Sequence, residues 1–165
     1  MLAPMPPGRS TDLTGHAEVR PARIEDAAPL HQLYCELADG RADARPAGID
    51  LTGEILTEIV GQPGRRLLVA EVEGGQLAGT VDVLLVTNLT HTGRPWAVVE
   101  NVVVAPVHRR RGIGRALMEE AMGQARRVGC YKVQLTSGKH REEAHAFYRS
   151  LGFEAVAEGF KAYFD

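Results

Sequence analysis

The apolar and polar positions of the chain follow two different periods, and the change between them is sharpest in its second half. Residues 97–105 are an apolar run rich in β-branched side chains that stops at Pro106, which predicts a largely buried strand. Apolar side chains then recur every three or four positions up to Gly129, which predicts a helix over residues 112–128. A buried strand is thus joined to an amphipathic helix by a short connection.

The rest of the chain shows weaker forms of the same two patterns. The predicted helices cover residues 26–38, with Asp26 as the N-cap, 51–60 and 142–151, and the predicted strands cover residues 17–22, 67–73, 76–86, 131–135, 153–157 and 160–164. The strand, helix and strand from residue 97 to residue 135 predict a parallel pair, whereas the hairpins predict antiparallel pairs. The chain therefore predicts an α/β (α+β) fold with a mixed sheet of six to seven strands and about four helices.

Composition agrees with one folded domain behind a short tail. Residues 1–16 are dense in proline, glycine and small polar residues and show no hydrophobic period, which predicts a flexible N-terminal tail. Residues 17–165 show no internal repeat and form the predicted domain. With 165 residues, of which 44% are hydrophobic and 24% charged, the chain is expected to be soluble and to bury a real core.

The net charge and the cysteine content limit which binding partners and which cellular compartment are expected. The formal net charge of −2 argues against nucleic acid as a partner. No stretch reaches the ~20 apolar residues of a membrane span, so no membrane partner is expected. Cys35 and Cys130 are flanked by apolar residues and are expected to be buried, reduced thiols, which favours a cytoplasmic protein.

The connection between the central strand and its helix carries the clearest chemical signal. It contains Arg109, Arg110, Arg111, Gly112, Ile113 and Gly114. Glycines let backbone N–H groups approach a ligand closely, and the first N–H groups of a helix lack internal partners. Arginines at a helix start oppose its dipole unless an anion binds, so this connection suits a pyrophosphate. The alternative is a solvated run of charge beside an ordinary turn.

Two motifs in the right order resemble those of the GNAT superfamily of N-acetyltransferases. Arg109, Gly112 and Gly114 match its acetyl-CoA signature Gln/Arg-x-x-Gly-x-Gly/Ala, and residues 146–153 match its aromatic pair followed by Gly-Phe. The resemblance implies a single-domain acetyltransferase that uses acetyl-CoA as co-substrate, with pantetheine adding to the backbone of the central strand. The implied cofactor contacts are Val102, Val103, Val104, Arg109, Arg110, Arg111, Gly112, Ile113, Gly114, Arg115, Phe147 and Tyr148.

Glu100 is the preferred candidate for the general base that acts on the acceptor amine. It is a carboxylate within an apolar run, and strand alternation predicts that it shares a side with Val102 and Val104. Burial there would favour proton uptake. The alternative is a structural pairing with an arginine, and Asp82 is the second candidate for the base.

Tyr148 is the candidate acid for the departing thiolate. A phenol with an ordinary pKa of ~10 stays protonated at neutral pH and can donate to a thiolate. Many GNAT members have tyrosine at this place, so the resemblance implies the role. The alternative is half-buried packing. Neither cysteine lies in the motif, so direct attack in a ternary complex is expected rather than an acetyl-enzyme.

The acceptor is expected to be a primary amine of a small molecule or peptide. Candidate acceptor contacts are Asp82, Asn88, His91 and Asn101. Residues 129–133 and the Phe147-Tyr148 pair also resemble the glucosamine-phosphate N-acetyltransferases. Those enzymes tend to carry an acid and an asparagine where this chain has Asn101 and Ala144, so the acceptor stays open.

The sequence is also compatible with other functions. The main alternative is a non-catalytic acyl-CoA-binding module that acts as a sensor or binds a partner protein. A nucleic-acid binder is disfavoured by net charge and by the lack of interleaved aromatics. The spacing of His140 and His145 misses that of HExxH, so no metal is predicted. Residues 153–164 are a plausible pairing edge for a homodimer.

Overall fold

The strands of the sheet lie side by side in chain order. The computed structural model describes residues 11–12, 17–38 and 45–164, and within these the strand order is β1-β2-β3-β4-β5-β6. The strands are β1 (Thr11–Asp12), β2 (Ala17–Pro21), β3 (Arg65–Val72), β4 (Leu77–Val86), β5 (Trp96–Val104) and β6 (Val133–Leu135). The pairs from β1 to β5 are antiparallel. The predicted mixed sheet is confirmed, and its five strands of three or more residues make it slightly smaller than expected.

The start of β5 is bonded to the segment before β6 in the same chain direction. The Tyr131 N–H donates to the Pro95 carbonyl and the Ala97 N–H to the Lys132 carbonyl, each over 3.0 Å. Both bonds advance along the two segments together, which is the sense of a parallel pair. This agrees with the predicted strand, helix and strand step.

Four helices occur in the described residues, as predicted. They are α1 (Ala27–Ala38), α2 (Ile49–Gly61), α3 (Ile113–Arg127) and α4 (Glu142–Ser150). The prediction that Asp26 is the N-cap of α1 is wrong, because a 3₁₀ turn over Ile24–Asp26 precedes the helix. Asp26 instead ends that turn, and its carboxylate accepts from the Arg23 N–H over 2.7 Å and from the Arg20 guanidinium.

The predicted C-terminal hairpin is also wrong, since residues 153–164 form neither helix nor strand. β-Branched and aromatic residues favour strands because they fit a half-buried pleated surface. Here Val156, Phe160, Tyr163 and Phe164 are 81–92% exposed, so no such surface forms around them. Conversely, Thr11 and Asp12 of the predicted tail pair with Val19 and Glu18. The other residues of the tail lie outside the described part.

The chain divides into two compact units, and the boundary between them lies between Gln134 and Leu135. In the first unit, α1 and α2 share an apolar cluster with one face of the sheet, including Leu67, Val69 and Val103. Helix α3 packs on the opposite face, where Leu117 lies over Gly79. The second unit contains α4 and the C-terminal segment.

The cysteines depart from expectation. Cys35 is exposed and Cys130 is partly buried, so the prediction of a buried thiol is wrong for Cys35, which lies on the outer side of α1. Burial raises the pKa of the Cys130 thiol, against the opposing effect of Arg94. In the described part of the chain, no helix combines the length and apolar character needed to span a membrane.

Candidate active site

A β-bulge interrupts β5 in the middle of the candidate site. Glu100 pairs with Asp82 and Val103 pairs with Thr80, so the single residue Val81 lies opposite two residues of β5. Asn101 has a φ of 53°, a left-handed conformation that asparagine tolerates better than most residues. Such an extra residue bends the strand and shifts the alternation of its side chains by one position.

The bulge changes which side chains share a face with Glu100. Because paired residues lie on the same face, Glu100 lies with Asp82, and Val103 with Thr80, on the face covered by α1 and α2. Val104 pairs with Gly79 on the other face. The prediction that Glu100 shares a side with Val102 and Val104 is therefore wrong, since plain alternation does not hold across the bulge.

Glu100 is exposed, so the expected burial of its carboxylate is also wrong. The bulge places Glu100 and Asn101 in a solvent-accessible stretch between the buried Val99 and Val103. The role of Glu100 as the base stays a prediction.

Asp82, the second candidate base, is held in a buried ion pair. The Nε of Arg65 lies 3.1 Å from both carboxylate oxygens of Asp82, and the Arg65 Nη2 also donates to Oδ2. Asp82 is only 1% exposed. Its hydrogen bond raises the pKa of Arg65, and burial opposes this effect. The geometry favours a structural role for Asp82 beside Glu100.

A cavity lies beside the bulge, between α1, α2 and β5. Its volume is about 210 Å³, and its lining includes Asn101 of the bulge and Tyr34 of α1. Burial and the charge of Asp82 raise the pKa of Tyr34 to about 12, although a hydrogen bond with Thr80 opposes the shift. The phenol is therefore neutral at physiological pH. Sequence reasoning missed this cavity, because its walls come from elements far apart in the chain.

The turn after β5 is fixed by its own arginine and glycine. A 3₁₀ turn over Pro106–His108 leads to Arg109, whose Nε donates to the Val104 carbonyl over 3.0 Å. Gly112 has a φ of 81° and precedes the first residue of α3. The first helical bond, from the Ala116 N–H, ends on the Gly112 carbonyl over 3.0 Å. The N–H groups of residues 113–115 are therefore the ones that a helix start leaves without helical partners.

The same helix start is strongly basic. Arg109, Arg110, Arg111 and Arg115 are exposed, and the first turn of α3 contains no acid. Arg115 lies 3.6 Å from Glu119 one turn further on. The helix dipole adds partial positive charge at this end, so the arginines and the dipole repel each other unless an anion binds. This donor set fits the phosphates of coenzyme A, and a pyrophosphate in particular.

Gly79 of β4 permits the close approach of the strand that carries Val103 and Val104. A Cβ at this position would lie 2.7 Å from the Val103 carbonyl oxygen, 3.1 Å from Leu117 and 3.2 Å from Val104. Contacts below 3.0 Å to backbone are not tolerated without movement of the strand. The sequence carried a signal here, since a glycine within a strand pattern often marks a close backbone approach.

Asn88 and His91, two candidate acceptor contacts, lie in the loop that leads into β5. The Asn88 side chain donates to the Thr90 carbonyl, and the Thr90 hydroxyl lies 2.9 Å from His91 Nδ1. The His91 ring stacks on Tyr131 with centroids 3.9 Å apart. These contacts order the loop at the start of β5, whereas the bulge lies further along the strand. Acceptor binding by either residue stays a prediction.

The aromatic motif belongs to the second unit. Phe147 and Tyr148 lie on α4 with ring centroids 5.3 Å apart, and Tyr148 lies 6.0 Å from the ring of Phe153. Gly152 has a φ of 87°, which turns the chain so that the Phe153 N–H donates to the Tyr148 carbonyl over 3.1 Å. This accounts for the spacing of the motif within the unit. The acid role of Tyr148 stays a prediction.

Comparison with protein families decides the class of this fold. The model of the acetyltransferase (GNAT) family matches residues 29–153, which include the bulged strand, the basic turn and the aromatic motif. The chain belongs to the GNAT acetyltransferase family. The resemblance seen in the two sequence motifs is thereby confirmed.

GNAT relatives of named activity share much of the length of the chain. A glucosamine 6-phosphate N-acetyltransferase from Trypanosoma brucei brucei is 32% identical over 145 residues, which are 88% of this chain and 84% of the relative. An aminoalkylphosphonate N-acetyltransferase from Salmonella typhimurium is 26% identical, over 88% of this chain and 90% of the relative. Acetyltransferase activity is therefore supported, while the two relatives differ in their acceptors.

Solved GNAT-like structures match the fold closely. A transcriptional regulator from Bacillus halodurans C-125 superposes with a TM-score of 0.80 at 30% identity, covering 90% of this chain and 100% of the other. An acetyltransferase from Trypanosoma brucei superposes with a TM-score of 0.76 at 26% identity, covering 90% and 99%. Both matches extend over nearly the whole chain.

Proposed function

We propose that the protein is an N-acetyltransferase that moves the acetyl group of acetyl-CoA to a primary amine by direct attack in a ternary complex. The start of α3 is the observation that carries the proposal. Left-handed Gly112 presents the first helical N–H groups beside four exposed arginines, directly after a bulged strand. That donor set suits the phosphates of coenzyme A.

The proposed binding mode follows the chain from strand to helix. Backbone N–H groups at residues 113–115 and the arginines hold the phosphates, and the backbone of Val102, Val103 and Val104 receives the pantetheine arm. Backbone N–H groups of that strand also polarise the thioester carbonyl. Gly79 supports the arrangement from the other side, because it lets β4 lie close behind Val103.

The proposed chemistry uses two protein groups. Glu100 takes a proton from the acceptor ammonium, directly or through a water, and the freed nitrogen lone pair attacks the thioester carbonyl carbon. The carbon–sulfur bond of the tetrahedral intermediate then breaks, and Tyr148 donates its phenol proton to the thiolate. The attacking nitrogen loses its second proton, which restores the Tyr148 phenol through solvent, while Glu100 releases its own proton to water. The products are the N-acetylated amine and the free thiol of CoA. The exposure of Glu100 suits a group that must exchange protons with solvent.

A second candidate function is a non-catalytic acyl-CoA sensor or partner-binding module. The observation that favours it is the match to a transcriptional regulator at a TM-score of 0.80 and 30% identity. Such a module would bind acetyl-CoA through the same helix start without releasing thiol in the presence of amines.

Release of free CoA thiol, measured over a panel of primary amines, separates the two candidates. The panel includes glucosamine 6-phosphate, the acceptor named for the trypanosome relative, together with aliphatic, aromatic and peptide amines. We expect amine-dependent thiol release and a 10²- to 10⁴-fold loss of kcat in Glu100→Gln, in the range of a positioned general base. Glu73→Gln removes another exposed carboxylate, in the β3–β4 turn, and should leave kcat unchanged. Acetyl-CoA binding without thiol release would favour the sensor.

The proposal also covers location and assembly. We still expect the protein to be cytoplasmic, to bind neither nucleic acid nor membrane, and to use no metal. Within the described ranges, no three histidine, cysteine or acidic side chains form a metal-binding group. A homodimer is supported by the exposed aromatic side chains of the C-terminal segment, above all Phe160 and Phe164. Light scattering on the protein and on Phe160→Ser tests the dimer.

A further inference from the structure

The cavity beside the bulge has the chemistry of an apolar binding site. Its walls are formed mainly by aliphatic side chains of α1 and α2, and no described lining residue carries a charge. The aliphatic lining includes Leu30, Leu37, Ile55, Leu56 and Ile59. A phosphate in such surroundings would lose its hydration without gaining a cation or a set of N–H donors.

Two of the polar side chains in the lining, Thr52 and Tyr34, already have partners within the protein. Thr52 donates its hydroxyl to the Gly48 carbonyl over 3.0 Å, as the start of α2 requires. The Tyr34 hydroxyl has its hydrogen bond with Thr80. Two arginines on this face of the sheet are paired with carboxylates, Arg65 with Asp82 and Arg20 with Asp26. The lining that remains is mainly aliphatic.

The position of the cavity connects it to the proposed chemistry. Asn101 lines it, and the preceding residue Glu100 lies on the same face of the sheet. Val103 belongs to the same apolar cluster as the lining residues Leu30 and Leu56. A molecule in the cavity can therefore direct a terminal amine toward Glu100 and toward the strand proposed to receive the acetyl-pantetheine arm.

The volume indicates the size of the occupant. An apolar cavity of roughly 150 Å³ in another protein binds benzene. At about 210 Å³, this cavity has room for an aromatic ring with a side chain of two carbons, or for a branched aliphatic chain of similar size. We propose that the acceptor is a phosphate-free primary amine whose apolar, ring-sized group occupies this cavity. This inference rests on the proposed function.

Competing acceptors of opposite chemistry test the proposal. 2-Phenylethylamine carries a ring and a two-carbon amine arm, whereas O-phosphoethanolamine and glucosamine 6-phosphate carry a phosphate. With acetyl-CoA saturating, we expect kcat/KM for 2-phenylethylamine to exceed that for either phosphate by at least tenfold, the scale on which apolar pockets discriminate. Equal or faster turnover of a phosphate-bearing amine would overturn this inference and leave acetyl transfer intact.

A substitution in the wall connects that preference to the cavity. Ile55 lines it and is 39% exposed, so a long charged side chain can be accommodated there without unfolding α2. Ile55→Lys should raise KM for 2-phenylethylamine at least tenfold with kcat kept within about threefold, and Ile55→Met, which keeps the lining apolar, should change KM by less than about threefold. An unchanged KM in Ile55→Lys would place the acceptor elsewhere.

Binding without turnover separates the two levels of failure. Calorimetry should detect a heat of binding of 2-phenylethylamine to the wild type and to Ile55→Met, but not to Ile55→Lys. If acetyl-CoA binds but neither these three amines nor any amine of the wider panel releases thiol, both the proposed function and the acceptor inference fail. If a phosphate-bearing amine alone is acetylated, only the acceptor inference fails.

Discussion

The ion pair between Arg65 and Asp82 lies beside the candidate base and makes a quantitative prediction. Asp82 is 1% exposed, whereas the Arg65 side chain keeps 23% of its exposure. Arg65→Met retains most of the aliphatic stem but leaves a buried carboxylate without a cation, and Asp82 also faces Glu100 across the strand pair. Removing one partner of a buried pair costs roughly 3–5 kcal/mol of unfolding free energy.

The opposite substitution should cost less. Asp82→Asn keeps the shape and one acceptor oxygen, and the freed charge of Arg65 can reach water through its exposed fraction. We expect a loss of roughly 1.5–3 kcal/mol in unfolding free energy, the value of hydrogen bonds to a charged group. Arg65→Met is expected to be the more damaging change, because it leaves a charge on the buried partner, whereas Asp82→Asn leaves a charge on the partly exposed one.

Urea unfolding followed by the fluorescence of Trp96 measures both variants. Trp96 is the single tryptophan of the chain and lies on β5, in the same unit as the pair. An Asp82→Asn variant that is as unstable as Arg65→Met, or more so, would refute the reasoning.

Three further predictions concern other parts of the molecule. Gly79→Ala should lower the unfolding free energy by roughly 1–3 kcal/mol in urea titration, because its Cβ would meet the Val103 oxygen at 2.7 Å; a neutral effect would contradict the close approach. Burial raises the pKa of Asp26, but hydrogen bonds from Arg20 and the Arg23 N–H outweigh it and lower the pKa below 3.8. The stabilisation is therefore present above that pH and lost as the pH falls through the lowered value, so Asp26→Asn should be less stable than wild type at pH 7, and the difference should shrink in thermal melts as the pH falls below 3.8; a constant difference would contradict this. Tyr148→Phe should lower kcat with little change in KM for acetyl-CoA, and unchanged kcat would withdraw the acid role.

The layout of the fold could be predicted because its apolar periods are strong and local. The helix over residues 112–128 and the strand over residues 97–105 are each displaced by only one residue at either end from α3 and β5. The turn of arginines and glycines between them could also be predicted, since Gly112 adopts a left-handed backbone conformation that favours glycine. These features depend on neighbours in the sequence.

The wrong predictions concern features that depend on contacts between distant parts of the chain. The bulge at Asn101 breaks the alternation on which the placement of Glu100 depended, and its one local signal was an asparagine within a strand pattern. The Arg65–Asp82 pair joins neighbouring strands, and the cavity joins two helices to β5. Strand propensity alone also predicted the C-terminal hairpin, although residues 153–164 bury no face that would stabilise it.

The measurement that tests the central claim most directly is the affinity for acetyl-CoA of the wild type, Gly112→Asp and Gly112→Asn by titration calorimetry. Aspartate and asparagine tolerate the left-handed backbone at this position about equally, so the pair differs in negative charge at the helix start. We predict micromolar binding by the wild type, at least tenfold weaker binding by Gly112→Asp, and a smaller loss in Gly112→Asn. A folded wild type that binds no acetyl-CoA, or variants that bind equally well, would contradict the proposed site.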